Sequence, residues 1–258
     1  MRVARAVSTV LDVTVCLLLV GVAVVTLATA VPGAGEEPSA PDGGDAAAAE
    51  LGTVTASVSS DGATRHDTLA GHLARAAVAN TTVGGEPVAA TGYPDAAAEA
   101  VRNRSGDRTH VTARWRPLGD ASTSGTVTVG RPPPRTADVS VTTFTVESGL
   151  RPATAASDPA TSLANAYVAW LFPPERTRGL LVDSRTAPAA KEQYTETAAT
   201  LDTAVDAPLA EANAETVNER LSTALAERIK TVSEGHGDVD SLETPSEEVA
   251  VVVRRWEP

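Results

Sequence analysis

The stretch "EEVAVVVRR", residues 247–255, decides how the rest of the chain is read. Its apolar core, Val249–Val253, is too short for a helix and too continuous for a half-exposed strand. It predicts a strand over Glu247–Arg254 that lies within a sheet and not at its edge. Partners for it are available upstream. Thr109–Arg116, Gly125–Val129 and Val139–Val146 are short, β-branched segments separated by turn residues. In the last of them Val139, Val141, Thr143 and Thr145 share one face, and Phe144 and Val146 the other. These three segments read as an antiparallel meander, with "RPPPR" (131–135) as a stiff polyproline connector. Leu51–Ser59 alternates small and β-branched residues and reads as a further strand.

Helices account for most of the remainder. Asp67–Ala79 places Leu69, Leu73, Ala76 and Ala77 on one face, and a second short helix runs from about Asp95 to Asn103. After Gly149 the pattern turns helical: Ser162–Phe172, stopped by Pro173-Pro174, then Lys191–Val205 and Leu209–Val232. The last carries an apolar stripe of Val217, Leu221, Leu225, Ile229 and Val232. The expected class is α+β, an antiparallel sheet with helices. A subdivision near residue 150 is the alternative to a single domain over 51–258.

Upstream of that domain, "PGAGEEPSAPDGGDAAAAE" (32–50) reads as a flexible spacer. Before it, Val13–Val31 carries no charge and is apolar all round. As a helix it would span roughly 28 Å, the thickness of a bilayer's hydrocarbon core. Arg2 and Arg5 precede this run, and nothing basic follows until Arg65. The positive-inside rule keeps the N-terminus cytoplasmic and sends residues 32–258 outside. Residues 1–31 are thus read as a cytoplasmic stub and a transmembrane helix, with the lipid bilayer as the partner of residues 13–31.

Composition fits that placement. The chain has 33 acidic and 21 basic residues and a net charge of −12, with Lys191 and Lys230 its only lysines. Removing residues 1–31 takes away Arg2, Arg5 and Asp12 and leaves the ectodomain more acidic still. Acid-rich, lysine-poor surfaces suit molar salt, where the Debye length is about 3 Å. The same charge argues against nucleic acid as a partner. Cys16, the only cysteine, sits in the apolar run, so no intrachain disulfide can form. On an exported domain, Asn80-Thr81-Thr82 and Asn103-Arg104-Ser105 are candidate N-glycosylation sequons.

Chemical motifs are sparse. His66 and His72, read as lying on one helix, are six residues apart and face different ways; His110 and His236 stand alone. No H-E-x-x-H or paired-cysteine pattern occurs. In the acidic stretch 233–248, Asp238 and Asp240 have calcium-loop spacing, but Leu242 takes the next ligand place. There is no nucleophile elbow and no phosphate-cradling glycine loop. Trp115 and Trp170 lie on apolar-patterned elements and read as core more than as an exposed patch. The expectation is a protein without catalytic, cofactor or metal residues.

The N-terminal residues carry a resemblance. "RAVSTVLDV" (5–13), followed by the apolar run, resembles the N-terminus of pilin-like proteins of halophilic archaea, over residues 2–31. The resemblance implies prepilin-type cleavage after Ala6, leaving Val7 as the new N-terminus and the helix as an anchor or filament core. The Val7 amine would then lie five residues from Asp12, and pairing with Asp12 of a neighbouring subunit would relieve two poorly solvated charges. On the plainer reading Asp12 marks the cytoplasmic interface. Two other fates stay open: an uncleaved anchor, and cleavage at Ala28-Thr29-Ala30 before Val31. The leading functional expectation is a non-enzymatic, membrane-anchored surface protein, with a pilin-like accessory subunit as its specific form and other pilin-like subunits as partners. The competing one is an anchored or secreted enzyme or solute-binding protein whose site no motif reveals.

Overall fold

Val249, Val251 and Val253 are fully buried on one face of a strand that is hydrogen-bonded along both edges. The computed structural model describes residues 43–118, 122–152, 158–236 and 245–257, all within one compact unit, Asp42–Pro258. The elements run α1 (Gly43–Thr53), β1 (Thr55–Ser60), β2 (Ala63–Thr68), α2 (Leu69–Ala79), β3 (Thr81–Val83), β4 (Glu86–Pro87) and α3 (Tyr93–Ser105). They continue with β5 (Thr109–Trp115), β6 (Thr123–Val129), β7 (Val139–Glu147), α4 (Pro159–Leu171), α5 (Pro174–Val182) and α6 (Ala187–Thr200). Last come α7 (Asp206–Ala210), α8 (Ala214–His236) and β8 (Glu248–Trp256). The class is α+β with antiparallel sheets.

The main sheet has the order β4-β3-β6-β5-β8-β7, and every pairing in it is antiparallel. The expected interior position of the 249–253 strand is what the structure has. The expected meander is not. β7 does not pair with β6; β8 inserts between β5 and β7, so β6 and β7 lie on opposite sides of the β5–β8 pair. The reason is burial. The all-valine inner face of β8 needs cover on both flanks, whereas β7 has an exposed alternate face (Val141, Thr143, Thr145) suited to an edge.

One face of the sheet is packed. Helix α2 lies against β5, β6, β7 and β8 and buries nine of its eleven residues. It can come this close because β6 has Gly125 opposite the helix, where a Cβ would run into the Ala77 carbonyl. Helices α4 and α8 pack on each other and, through Tyr167 stacked over Trp115 at 6.3 Å, on the end of the sheet. The helical half after residue 150 therefore shares a core with the sheet.

Several local expectations are corrected. Residues 43–50, read as part of a spacer, form most of α1, whose Ala47 and Leu51 are buried and whose Gly44 N–H donates to Ser140 Oγ at 3.0 Å. A strand from Leu51 becomes the end of that helix followed by β1. His66 and His72 do not share a helix: His66 is on β2, His72 on α2. β1 and β2 form a separate hairpin closed by Asp61-Gly62, both at positive φ (53° and 71°), as a two-residue mirror-image turn requires. The helix expected at Leu209–Val232 is two, broken at Ala212 (φ 53°), after which Asn213 Oδ1 accepts from the Thr216 N–H. Pro174 opens α5 where the sequence suggested only a stop, since proline suits the first turn of a helix. Among the described residues no helix is long and apolar enough to cross a membrane. Residues 13–31 lie outside the described residues.

Candidate functional site

The β1–β2 hairpin does not join the main sheet, and its tip stands against α3, α5 and α6 across a cleft. Three arginines converge there from elements far apart in sequence: Arg65 on β2, Arg75 on α2 and Arg176 on α5. The cleft has a volume of about 100 Å³ and shares Asp61 and Arg176 with a neighbouring groove of about 490 Å³.

The walls are aromatic. Arg75 lies over the Trp170 ring, 5.4 Å from its centroid, and Trp170 in turn stacks on Tyr167 at 6.1 Å. Phe172 stacks on Tyr194 at 4.0 Å. The Tyr194 hydroxyl donates to Asn218 Oδ1 at 2.7 Å, and Asn218 Nδ2 donates to the Phe172 carbonyl at 3.0 Å. The wall formed by the end of α4 and by α6 is therefore tied to α8. Trp170 is thus half core and half cleft wall, whereas Trp115 is wholly buried.

Electrostatics set this place apart. The chain carries −12, and, as for every described arginine but Arg185, no carboxylate among the described residues forms an ion pair with Arg65, Arg75 or Arg176; what is particular is that these three line one cleft. Asp61, at the cleft's rim, accepts from Ser60 and Thr91, both at 2.8 Å. Burial, then the charges of Arg75 and Arg176, push the Arg65 guanidinium below its ordinary value, with Tyr93 acting the other way. Burial pushes the Tyr93 phenol up to about 12, against the pull of Arg75 and Arg65. Three cations crowd one another here, with Asp61 at the rim and the Asp67 charge also acting on Tyr93. Such a cluster is arranged to receive an anion, for which guanidinium is the most apt donor.

Behind the cleft sits His72, fully buried on α2. Its Nδ1 is 2.7 Å from the Tyr93 hydroxyl and its Nε2 is 3.0 Å from the Ala56 carbonyl of β1. His66 bonds Ser57 across the hairpin at 2.7 Å, and His110 Nδ1 faces the Gly130 carbonyl at 3.3 Å. The histidines and the three arginines were not legible as a set. No spacing joins positions 65, 75 and 176, and only the hairpin and α5 bring them together. The one available signal was Arg75, an arginine on the apolar-patterned helix α2.

The remaining expected sites are placed as follows. Asn80 is exposed at the end of α2, and its Nδ2 donates to the Thr126 carbonyl at 2.8 Å. Asn103 is exposed in the last turn of α3. Ala6, Val7 and Asp12 lie outside the described residues, as do Asp238, Asp240 and Leu242. Among the described residues no group of three or more His, Cys, Asp or Glu is disposed to hold a metal ion.

No curated protein and no solved structure matches this chain. The chain belongs to DUF7284, a family of unknown function, whose profile spans residues 11–256.

Proposed function

We propose that this DUF7284 member is a membrane-tethered, extracytoplasmic binding protein, non-enzymatic, whose folded domain holds a small anion between Arg65, Arg75 and Arg176. The observation that carries the reading is three arginines lining one cleft, where burial and the charges of Arg75 and Arg176 push the Arg65 guanidinium below its ordinary value. A cleft focuses such a field, so even a dilute anion is drawn in. The described lining supplies donors and aromatic walls, and its carboxylate, Asp61, is occupied by Ser60 and Thr91. That inventory suits holding a ligand better than activating one.

The test is calorimetry and thermal unfolding of the full chain in detergent with potassium phosphate, sulfate and acetate at constant ionic strength. At least one anion should raise the melting temperature. Arg65→Gln should abolish that rise while stabilising the anion-free protein, because it removes like-charge repulsion. A melting temperature indifferent to all three anions would overturn the reading.

Tethering rests on Val13–Val31 and its flanking Arg2 and Arg5. The resemblance of residues 2–31 to pilin-like proteins supports a second, more specific reading, an accessory subunit of a filament or secretion apparatus. N-terminal sequencing of native protein separates them. A start at Val7 favours the pilin-like form, a start at Met1 a plain anchor, and a start at Val31 a secreted protein without a tether.

A further inference from the structure

We infer that the ligand of the cleft carries, close to its acid group, an uncharged hydrogen-bond donor that Tyr93 Oη accepts, which makes it a hydroxy acid and not a simple anion. This rests on the reading of the cleft as an anion site. The argument begins at Ala56. A backbone carbonyl only accepts, so the His72 Nε2 that faces it at 3.0 Å must carry the hydrogen. The ring is fully buried, and its described polar partners are this carbonyl and the Tyr93 hydroxyl, neither of them charged. With the hydrogen on Nε2, the neutral ring leaves Nδ1 as a bare acceptor.

Tyr93 then has no choice. Its single hydroxyl proton is donated to His72 Nδ1 at 2.7 Å. What remains on the Tyr93 oxygen is lone-pair density, in the corner where the charges of Arg75 and Arg65 act on it. Among the described residues no side chain donates to that oxygen. The Tyr93 backbone is anchored at the hairpin tip: its N–H donates to Thr91 Oγ1 at 3.2 Å, and Thr91 Oγ1 donates to Asp61 at 2.8 Å. The cleft therefore offers an acceptor near Arg75 and Arg65, with Arg176 in the same lining. Its complement is an acid group with a donor a bond or two away. An ammonium would meet three guanidiniums against the single lining carboxylate, Asp61, which already accepts from Ser60 and Thr91, and the balance favours a hydroxyl.

Two measurements test this on the full chain in detergent. Titration with matched pairs, lactate against propionate and glycolate against acetate, should show the hydroxy acid binding about tenfold tighter. In Tyr93→Phe that ratio should fall towards one. Equal affinities within each pair in the parent protein would overturn this inference and leave the anion site standing; no binding by any of the four would overturn both. Independently of any variant, nitrogen NMR of the His72 ring should show a protonated Nε2 and an unprotonated Nδ1. The opposite tautomer, or an imidazolium, would reverse the Tyr93 polarity and overturn the inference.

Discussion

Asp158 holds two parts of the helical half together with one carboxylate. Its Oδ1 accepts from the Ala160 N–H at 3.1 Å, capping α4, while Oδ2 accepts from Thr161 at 2.6 Å and pairs with Lys230 of α8 at 2.7 Å. Partial burial pushes its carboxyl up, but the bonds from Lys230 and Thr161 and the Lys230 charge outweigh this and hold it below its ordinary value. Asp158→Ala should cost about 1–2 kcal/mol, mostly as a lost cap, since the ion pair is half exposed. Denaturant titration measures it, and Asp158→Asn, which can still cap, should lose less. The tyrosines make a second prediction at this scale. Burial pushes all three up, Tyr93 and Tyr194 to about 12. An unfolded tyrosine titrates near 10. Between those values the folded chain keeps protons that the unfolded chain has lost, so stability is full below pH 10 and falls as pH rises towards 12. Phenolate absorbance should accordingly appear together with unfolding and not before it. Phenolate signal from a still-folded protein at pH 10 would contradict the burial.

At the scale of elements, Gly125 governs how closely α2 approaches the sheet. Gly125→Ala would press a methyl into the Ala77 carbonyl, against a rigid helix, and should destabilise the fold by about 1–3 kcal/mol or more. Gly85→Ala is the counterpart: nothing stands within 4 Å of its Cβ position, and its cost is confined to the positive φ of 86°. Equal melting temperatures for Gly125→Ala and the parent would mean that α2 does not sit as described. Elements of this kind were legible in sequence where they pack with strong periodicity. β5, β6, β7, β8, α2, α3 and α4 lie within a few residues of their expected places because β-branched alternation or an apolar helical face marks them. α1 was hidden because "GGDAAAAELGT" has little side-chain surface. It docks through close backbone approach at Gly44 and two buried side chains, which no hydropathy pattern registers. β2, "ATRHDT", was hidden because it carries no apolar alternation of its own and is held by its turn and its ladder to β1. The cleft inherits that opacity. Arg65 comes from the unmarked strand and Arg176 from a helix begun by prolines that read as a stop.

For the whole molecule, charge is the dominant fact. Among the described residues the ion pairs are Arg185 with Asp183 and Lys230 with Asp158 and Glu227, all at the surface. Most of the 33 acids must then be managed by solvent ions, and so must the three cleft arginines until a ligand arrives. Screening at about 0.1 M reaches only to roughly 10 Å, against about 3 Å at 1 M. The melting temperature of the full chain should rise steadily from 0.1 M to molar potassium chloride. A flat profile would remove the argument for a high-salt habitat. The position of β8 bears on a different matter, the order in which the protein can be made. It is the last described element to leave the ribosome, yet β5 and β7 have no shared partner without it. A chain emerging from its N-terminus forms the β5–β6 hairpin and its helices early, but its sheet stays open along one side until residues 248–256 appear. Long-range closure of this sort is slow. For a chain exported as proposed, that delay would keep the sheet unclosed while β5, β6 and β7 are threaded, with β8 as the latch between β5 and β7.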